Sequence, residues 1–132
     1  PALGMTDDDV LSTGKYRYRF YRSPHIPHGW DAGVLYEETP KTLFCSDLFH
    51  HFGDVASVTS SDLIEPTQQA MRQMQQGPLA SYMPYTRQTE RVLASLASLN
   101  PENTGGHARL VLQRAVTLPL ETDFHESASY DD

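Results

Sequence analysis

Two short apolar segments joined by a tight turn constrain this chain more than any other feature. Residues 33–37 (Gly-Val-Leu-Tyr-Glu) and 42–46 (Thr-Leu-Phe-Cys-Ser) are rich in β-forming side chains. The residues between them, 38–41, include Pro40, which fixes φ and ends the first strand. The sequence therefore predicts a β-hairpin that returns the chain to the level where it started.

The residues that flank this hairpin carry metal-binding chemistry. His28 precedes the first strand and Asp47 follows the second. Because a hairpin brings its two outer ends to one edge of a sheet, we expect an imidazole and a carboxylate there within roughly 8 Å of each other, as a shared metal ion requires. Residues of these types also serve as ordinary turn or cap residues, and the pattern alone leaves that alternative open.

The loop that holds His28 is restricted by its own composition. Pro24 and Pro27 limit its backbone freedom, and Gly29 permits a positive φ. We expect Trp30 to pack beneath the loop. Asp31 has two interpretations of equal weight, since it can accept the second ring N–H of a ligating histidine or cap the turn into the strand.

Before this loop, the chain alternates with a period of two. One set of aromatic residues, Tyr16, Tyr18 and Phe20, alternates with Arg17, Arg19 and Tyr21. This pattern predicts a half-buried strand whose arginines face solvent or neighbouring carboxylates. Stacking on single-stranded nucleic acid is the alternative, and the acidic net charge disfavours it. The acidic residues 1–13 are predicted to be a loose lead-in, with an N-cap for a short turn as the alternative.

Two helices are predicted after the hairpin. The first spans about 63–76, from the capping pair Asp62 and Glu65 to Gly77-Pro78. We expect four of its residues to share a core-facing side: Ile64, Ala70, Met71 and Met74. The second spans about 85–99 and ends at Asn100-Pro101, with an apolar stripe at helical spacing: Val92, Leu93, Leu96 and Leu99.

Composition limits the classes of function. The chain has 132 residues, enough for one domain, and a net charge of −7 that argues against general nucleic-acid or anionic-membrane binding. No apolar run has the length of a transmembrane helix and no signal peptide is visible. The single cysteine, Cys45, fits a cytoplasmic protein, and its place in an apolar strand predicts a buried, unreactive thiol.

The segment from His25 to Phe49, HIPHGWDAGVLYEETPKTLFCSDLF, resembles the second half of metallo-β-lactamase-fold proteins. It is most similar to the flavodiiron-like, oxygen-reducing or oxygen-binding branch. The resemblance implies that His28 is a metal ligand and that Asp47 bridges two metal ions, iron or zinc, with Asp31 and His25 around them. It also implies either hydrolysis or the reduction of dioxygen or nitric oxide.

The resemblance implies half of a four-layer αββα sandwich. The family's first half carries a His-x-His/Glu-x-Asp-His cluster, which this chain lacks, and its first methionine is Met5. We therefore expect one partial α/β domain over 1–132, a mixed sheet with two helices on one face. Its expected partner is the missing N-terminal half or a second copy of the chain, giving a homodimer. By itself the chain is expected to be inactive, and a remnant or binding module without a full metal site is the alternative function.

The last 29 residues, 104–132, depart from the family pattern. His107 is the third candidate metal ligand by resemblance, because it lies 60 residues after Asp47, close to the separation expected of the last ligand. The family's Met-His-Gly-Ser element is missing around it. A shift of one base in a stretch encoding Gly-His-Ala-Arg-Leu-Val can produce that element, so we hypothesise a tail translated out of frame. A genuine strand at 109–118 is the alternative.

His50 and His51 are left out of the ligand set, because adjacent residues of an extended segment point in opposite directions.

Overall fold

The computed structural model describes residues 4–49, 52 and 64–105. Their strands and helices follow one another in the order β1 (Val10–Thr13), β2 (Tyr16–Arg22), β3 (Gly33–Glu37), β4 (Thr42–Phe44), α1 (Ile64–Gln75), α2 (Thr89–Ser98) and β5 (Asn103–Gly105).

The strands form one sheet in the order β1-β2-β3-β4-β5. The pairs β1–β2, β2–β3 and β3–β4 are antiparallel, whereas β5 lies parallel to β4, so the sheet is mixed. A four-stranded antiparallel unit with two helices places the described residues in the mixed α/β class, as the sequence predicted. The four-layer sandwich remains a prediction.

The predicted hairpin is present. Strand β3 has the predicted limits, whereas β4 ends at Phe44, two residues earlier than predicted. The reason is local, because the chain turns there: Leu48 N–H donates to the Cys45 carbonyl at 3.0 Å, and Ser46 has a φ of 51°.

The prediction of a loose lead-in over 1–13 was wrong for its last four residues. These residues form β1, which pairs with β2 from Val10 opposite Arg19 to Thr13 opposite Tyr16. Gly14, with a φ of 66°, makes the turn between the two strands. The sequence signal was weak because β1 has only four residues, three of them exposed, and pairs with one neighbouring strand, β2.

The hydrophobic core lies between one face of the sheet and α2. Alternate residues of β3 and the β4 segment point to this face, and the apolar stripe of α2 packs against them. The buried core residues are Ile26, Val34, Tyr36, Leu43, Cys45, Leu48, Val92, Leu93 and Leu96. Tyr36 Oη also donates to the Leu99 carbonyl at 3.3 Å, which ties the end of α2 to the sheet. The predicted stripe of this helix is confirmed.

The limits of α2 differ from the predicted ones at the start. The helix begins at Thr89, four residues later than predicted. A local turn precedes it, in which Thr86 N–H donates to Thr89 Oγ1 at 2.8 Å and Thr89 N–H donates to the Thr86 carbonyl. The threonine pair uses backbone and hydroxyl groups that a continuing helix would need for its own ladder.

Helix α1 has the predicted extent to within one residue. Its buried residues are Thr67 and Ala70, whereas Met71 and Met74 are half-buried. The expectation of a methionine-lined core face was therefore only partly right. Among the described residues, the core cluster against the sheet contains side chains of α2 and none of α1.

The other face of the sheet is aromatic and half open. Pairing places Phe20, Leu35 and Phe44 in one row across β2, β3 and β4. The ring centroid of Tyr18 lies 6.1 Å from that of Phe44 and 6.3 Å from that of Tyr16. Phe44 nevertheless keeps 43% of its surface exposed. An apolar surface of this kind is typical of a sheet face that packs against another layer.

Several predictions fall on residues outside the described ranges. They concern His107, the 106–132 part of the tail, His50, His51 and the capping residue Asp62. Within the described ranges, no helix has both the length and the apolar character needed to cross a membrane.

Candidate metal-binding site

A closed loop presents His28 at the edge of the sheet. Its base is fastened where Ser23 N–H donates to the Ala32 carbonyl at 2.8 Å, and Ser23 Oγ donates to the Ile26 carbonyl. Ile26 is fully buried and anchors the loop in the core. His28, two residues later, is exposed. The positive φ of Gly29, 79°, then lets the chain turn back towards β3.

A second turn presents Asp47 next to this loop. The residues on either side of the turn, Cys45 and Leu48, are both buried in the core. The Leu48 N–H donates a hydrogen bond to the Cys45 carbonyl and closes the turn. Asp47, which lies between these two buried residues, is therefore on the surface. Asp47 therefore sits at the edge that the hairpin prediction assigned to it.

The two residues lie side by side. His28 Nε2 is 4.0 Å from Asp47 Oδ2, and 54% and 53% of their side-chain surfaces are exposed. The predicted separation of less than roughly 8 Å is therefore met. Residues 19 positions apart have come together because antiparallel pairing of β3 with β4 returns the chain to its starting edge.

A third residue, which the sequence analysis did not single out, completes this cluster. Tyr82 Oη donates to Asp47 Oδ2 at 3.1 Å, and its ring centroid lies 4.6 Å from that of His28. Tyr82 belongs to the connection between α1 and α2, where its N–H donates to the Leu79 carbonyl. Nothing in the local sequence marks this tyrosine, because its two contacts are made across 35 and 54 residues of chain.

The electrostatics of the cluster favour a neutral phenol. Partial burial raises the pKa of Tyr82, and its hydrogen bond to the Asp47 carboxylate raises that pKa further. Tyr82 is therefore a hydrogen-bond donor over the ordinary pH range. Tyr82 donates to Asp47 Oδ2, which is also the oxygen that lies 4.0 Å from His28 Nε2.

The donor set fits part of a site for one metal ion. With metal–ligand bonds of about 2 Å in a tetrahedral site, two ligand atoms lie about 3.3 Å apart, so the observed 4.0 Å needs only a small side-chain adjustment. In the part of the chain that the structure describes, no group of three or more His, Cys, Asp or Glu side chains is placed to hold a metal ion. Two ligands do not suffice for a dinuclear centre.

The remaining predicted site residues lie in the same loop. Asp31 Oδ1 lies close to the backbone of Gly29, since a β-carbon built there would be 3.0 Å from it. Among the described residues no hydrogen bond joins Asp31 to His28 or His25, so a role for Asp31 or His25 in orienting a ligand remains a prediction. Trp30 does not pack beneath the loop: it is 72% exposed, which corrects that expectation.

Cys45 takes no part in this surface. It is buried in the core, and burial raises the pKa of its thiol to about 12. Since the thiolate is the nucleophile and the metal ligand, this cysteine is unreactive in the folded chain, as predicted.

No known protein family, no curated protein and no solved structure matched this chain in the comparisons made with it.

Proposed function

We propose that this chain is half of an αββα domain of the metallo-β-lactamase type and supplies two ligands, His28 and Asp47, to a divalent-metal site. The observation that carries the proposal is the 4.0 Å separation of His28 Nε2 and Asp47 Oδ2 at one sheet edge. Both side chains are half exposed, so an ion can reach them from solvent. An imidazole and a carboxylate are common ligands of zinc and iron.

The half-open sheet supports the half-domain part of the proposal. Helix α2 covers one face, whereas the other carries the Phe20, Leu35 and Phe44 row with Phe44 partly exposed. In a four-layer sandwich a second sheet would pack on this aromatic face.

The complete domain would hold two metal ions, iron or zinc, by resemblance. Its chemistry would then be hydrolysis, in which a metal lowers the pKa of a bound water, or reduction of dioxygen or nitric oxide. The isolated chain is proposed to bind metal weakly and to lack either activity. Its single, buried cysteine is consistent with a cytoplasmic protein, which belongs to the same proposal.

A zinc titration followed by NMR tests the metal site. We expect Zn²⁺ to shift the ring resonances of His28 and the amide resonances around Asp47 and Tyr82. His28→Ala and Asp47→Asn should each weaken binding at least about tenfold, since each removes one of two ligands. Glu90→Gln is the matched control, because Glu90 also accepts a hydrogen bond from a tyrosine, Tyr85, but has no part in the site. Shifts that persist unchanged in both site variants would refute the proposal.

A second candidate function is a binding module without metal chemistry. It is favoured by the contacts of Tyr82, which tie the connection between α1 and α2 to the sheet edge and give His28 and Asp47 a structural role. In that case Asp47→Asn should lower the free energy of unfolding, and zinc should produce no change at this edge. The same titration therefore distinguishes the two functions.

A further inference from the structure

The aromatic face of the sheet is centred on Tyr18. Strand pairing places Leu11 of β1 and Glu37 of β3 directly opposite this residue. The ring centroids of Tyr16 and Phe44 lie 6.3 Å and 6.1 Å from that of Tyr18. Leu11, Tyr16 and Phe44 remain 37%, 40% and 43% exposed, so three strands contribute apolar surface to one patch. These five residues together are the Tyr18 patch.

Glu37 is the acidic member of the Tyr18 patch. Its side chain is on the patch side of β3, because the preceding residue, Tyr36, belongs to the core on the other face. Glu37 is only 2% exposed, its Oε1 accepts the Thr39 N–H at 3.3 Å, and its Oε2 has no hydrogen-bond partner among the described residues. Buried carboxylates are normally paired, since otherwise their lost hydration is not compensated. A cationic donor would therefore find an unfilled acceptor at Glu37.

Residues beside Glu37 already contact cations in two ways. Glu38, the next residue, accepts hydrogen bonds from Arg17 and Arg19. Lys15 places its Nζ 4.9 Å from the centroid of the Tyr16 ring, within the range of a cation–π contact. Arginine can make both contacts at once, because its planar guanidinium stacks on an aromatic ring while it donates two hydrogen bonds to a carboxylate. Arginine is therefore the side chain that best fits rings beside an unsatisfied carboxylate.

We propose that the Tyr18 patch binds a segment of a partner polypeptide whose arginine side chain stacks on the rings and pairs with Glu37. The exposed apolar surface favours a polypeptide over a free amine, because only further apolar side chains would cover it. The net charge of −7 favours the approach of a cationic partner. The Tyr18 ring turns aside as the guanidinium reaches Glu37, a rotamer change of the kind common at interfaces. No residue of the metal site takes part, so this inference goes beyond the proposed function and does not depend on it.

An NMR titration of the full chain with the peptide acetyl-Val-Thr-Arg-Thr-Val-amide tests the inference. In an extended peptide, residues two apart point to the same side, so both valines accompany the arginine onto the patch. The matched ligand has citrulline in place of arginine, which keeps the shape of the side chain and removes its charge. We expect the arginine peptide to shift the amide resonances of Tyr18 and Glu37. The citrulline peptide should bind about tenfold more weakly, since it loses hydrogen bonds between charged groups.

Variants separate the carboxylate from the rings. Glu37→Gln should bind both peptides alike, and as weakly as the wild type binds the citrulline peptide, because the preference for arginine arises from this one pair. Glu90→Gln is the matched control: it changes the net charge by the same amount and should keep the preference. Phe44→Thr should weaken the binding of both peptides, since they share the contact with its ring. Circular dichroism checks the folding of each variant, and the comparison of the two peptides needs only the unaltered chain.

Four outcomes would overturn the inference. They are the absence of any shift at Tyr18, equal binding of both peptides by the wild type, and a preference for arginine that Glu37→Gln retains. The fourth is free arginine amide binding as tightly as the peptide, which would make the patch a site for a small cation and not for a polypeptide. None of these outcomes concerns zinc binding by His28 and Asp47, so the proposed function is tested separately.

Discussion

At the scale of single residues, two adjacent glutamates have contrasting surroundings. Glu38 accepts hydrogen bonds from Arg17 Nε at 3.0 Å and from Arg19 Nη2 at 2.6 Å. The sequence analysis predicted that these arginines face solvent or neighbouring carboxylates, and here they contact a carboxylate. These bonds, Arg17 first and then Arg19, lower the pKa of Glu38 below its ordinary value of 4.5. Glu37 is almost fully buried, and within the described part of the chain one of its carboxyl oxygens has no hydrogen-bond partner.

Glu38→Gln should therefore lower the free energy of unfolding at pH 7. A carboxyl whose pKa is depressed in the folded state contributes stability above its unfolded pKa and loses it as the pH falls through the folded pKa. The difference between the wild type and Glu38→Gln should thus be largest at neutral pH and shrink below pH 4.5. Urea denaturation at several pH values measures it.

Glu37→Gln is the control for that experiment. It removes a carboxyl at the neighbouring position, but no arginine bonds are lost with it. One carboxyl oxygen of Glu37 accepts only the Thr39 N–H, at 3.3 Å, and the other has no partner among the described residues. Since a carboxylate with an unsatisfied oxygen is costlier to bury than an amide, this change should not lower the free energy of unfolding at pH 7. Equal losses from both substitutions would contradict the assignment of stability to the arginine pair.

At the scale of elements, the pairing of β2 with β3 depends on a missing side chain. Gly33 opens β3 opposite Arg22, and the Phe20 ring fills the space above it. A β-carbon built on Gly33 would lie 2.2 Å and 2.3 Å from two atoms of that ring, and 3.2 Å from the Tyr21 carbonyl oxygen. The glycine thus lets the aromatic residue close over the end of β3.

Gly33→Ala should destabilise the sheet by about 1–3 kcal/mol, the usual cost of forcing an extra carbon into packed surroundings. Gly77→Ala is the matched control, since the nearest atom to its new β-carbon would be 3.8 Å away and no loss of stability is expected. The double substitution Gly33→Ala with Phe20→Leu should recover part of the loss. Chemical denaturation checks all three, and an unchanged Gly33→Ala would show that the ring moves aside freely.

At the scale of the whole molecule, the two faces of the sheet differ in what covers them. The core face is sealed by α2, with Leu43 and Leu96 almost completely buried. The aromatic face leaves Phe44, Tyr16 and Leu11 about two-fifths exposed. Apolar side chains exposed on neighbouring strands form a surface on which a further layer or a partner can pack.

This face should bind an apolar dye in the native state. We expect fluorescence of 8-anilinonaphthalene-1-sulfonate with the folded chain, and Phe44→Thr should reduce it while leaving the free energy of unfolding nearly unchanged, because Phe44 is already 43% exposed. Tyr85→Thr is the control, since Tyr85 has the same exposure but lies in the connection before α2, outside the sheet. Equal dye binding by the wild type and Phe44→Thr would place the apolar surface elsewhere.

Local sequence determined the features whose causes are local. The limits of β3 follow from β-forming residues and Pro40, and the core stripe of α2 follows from its spacing. The meeting of His28 with Asp47 was predictable for the same reason, because hairpin geometry fixes where the ends of two joined strands lie.

Only the tertiary structure decided the features that depend on distant partners. Strand β1 forms by pairing with β2, Ile26 rather than Trp30 is the buried side chain of their loop, and Tyr82 contacts Asp47 across 35 residues of chain. None of these outcomes has a periodic or turn signature in its own segment. Contacts across long stretches of chain are set by how the elements pack together, so their residues become visible only once the chain is folded.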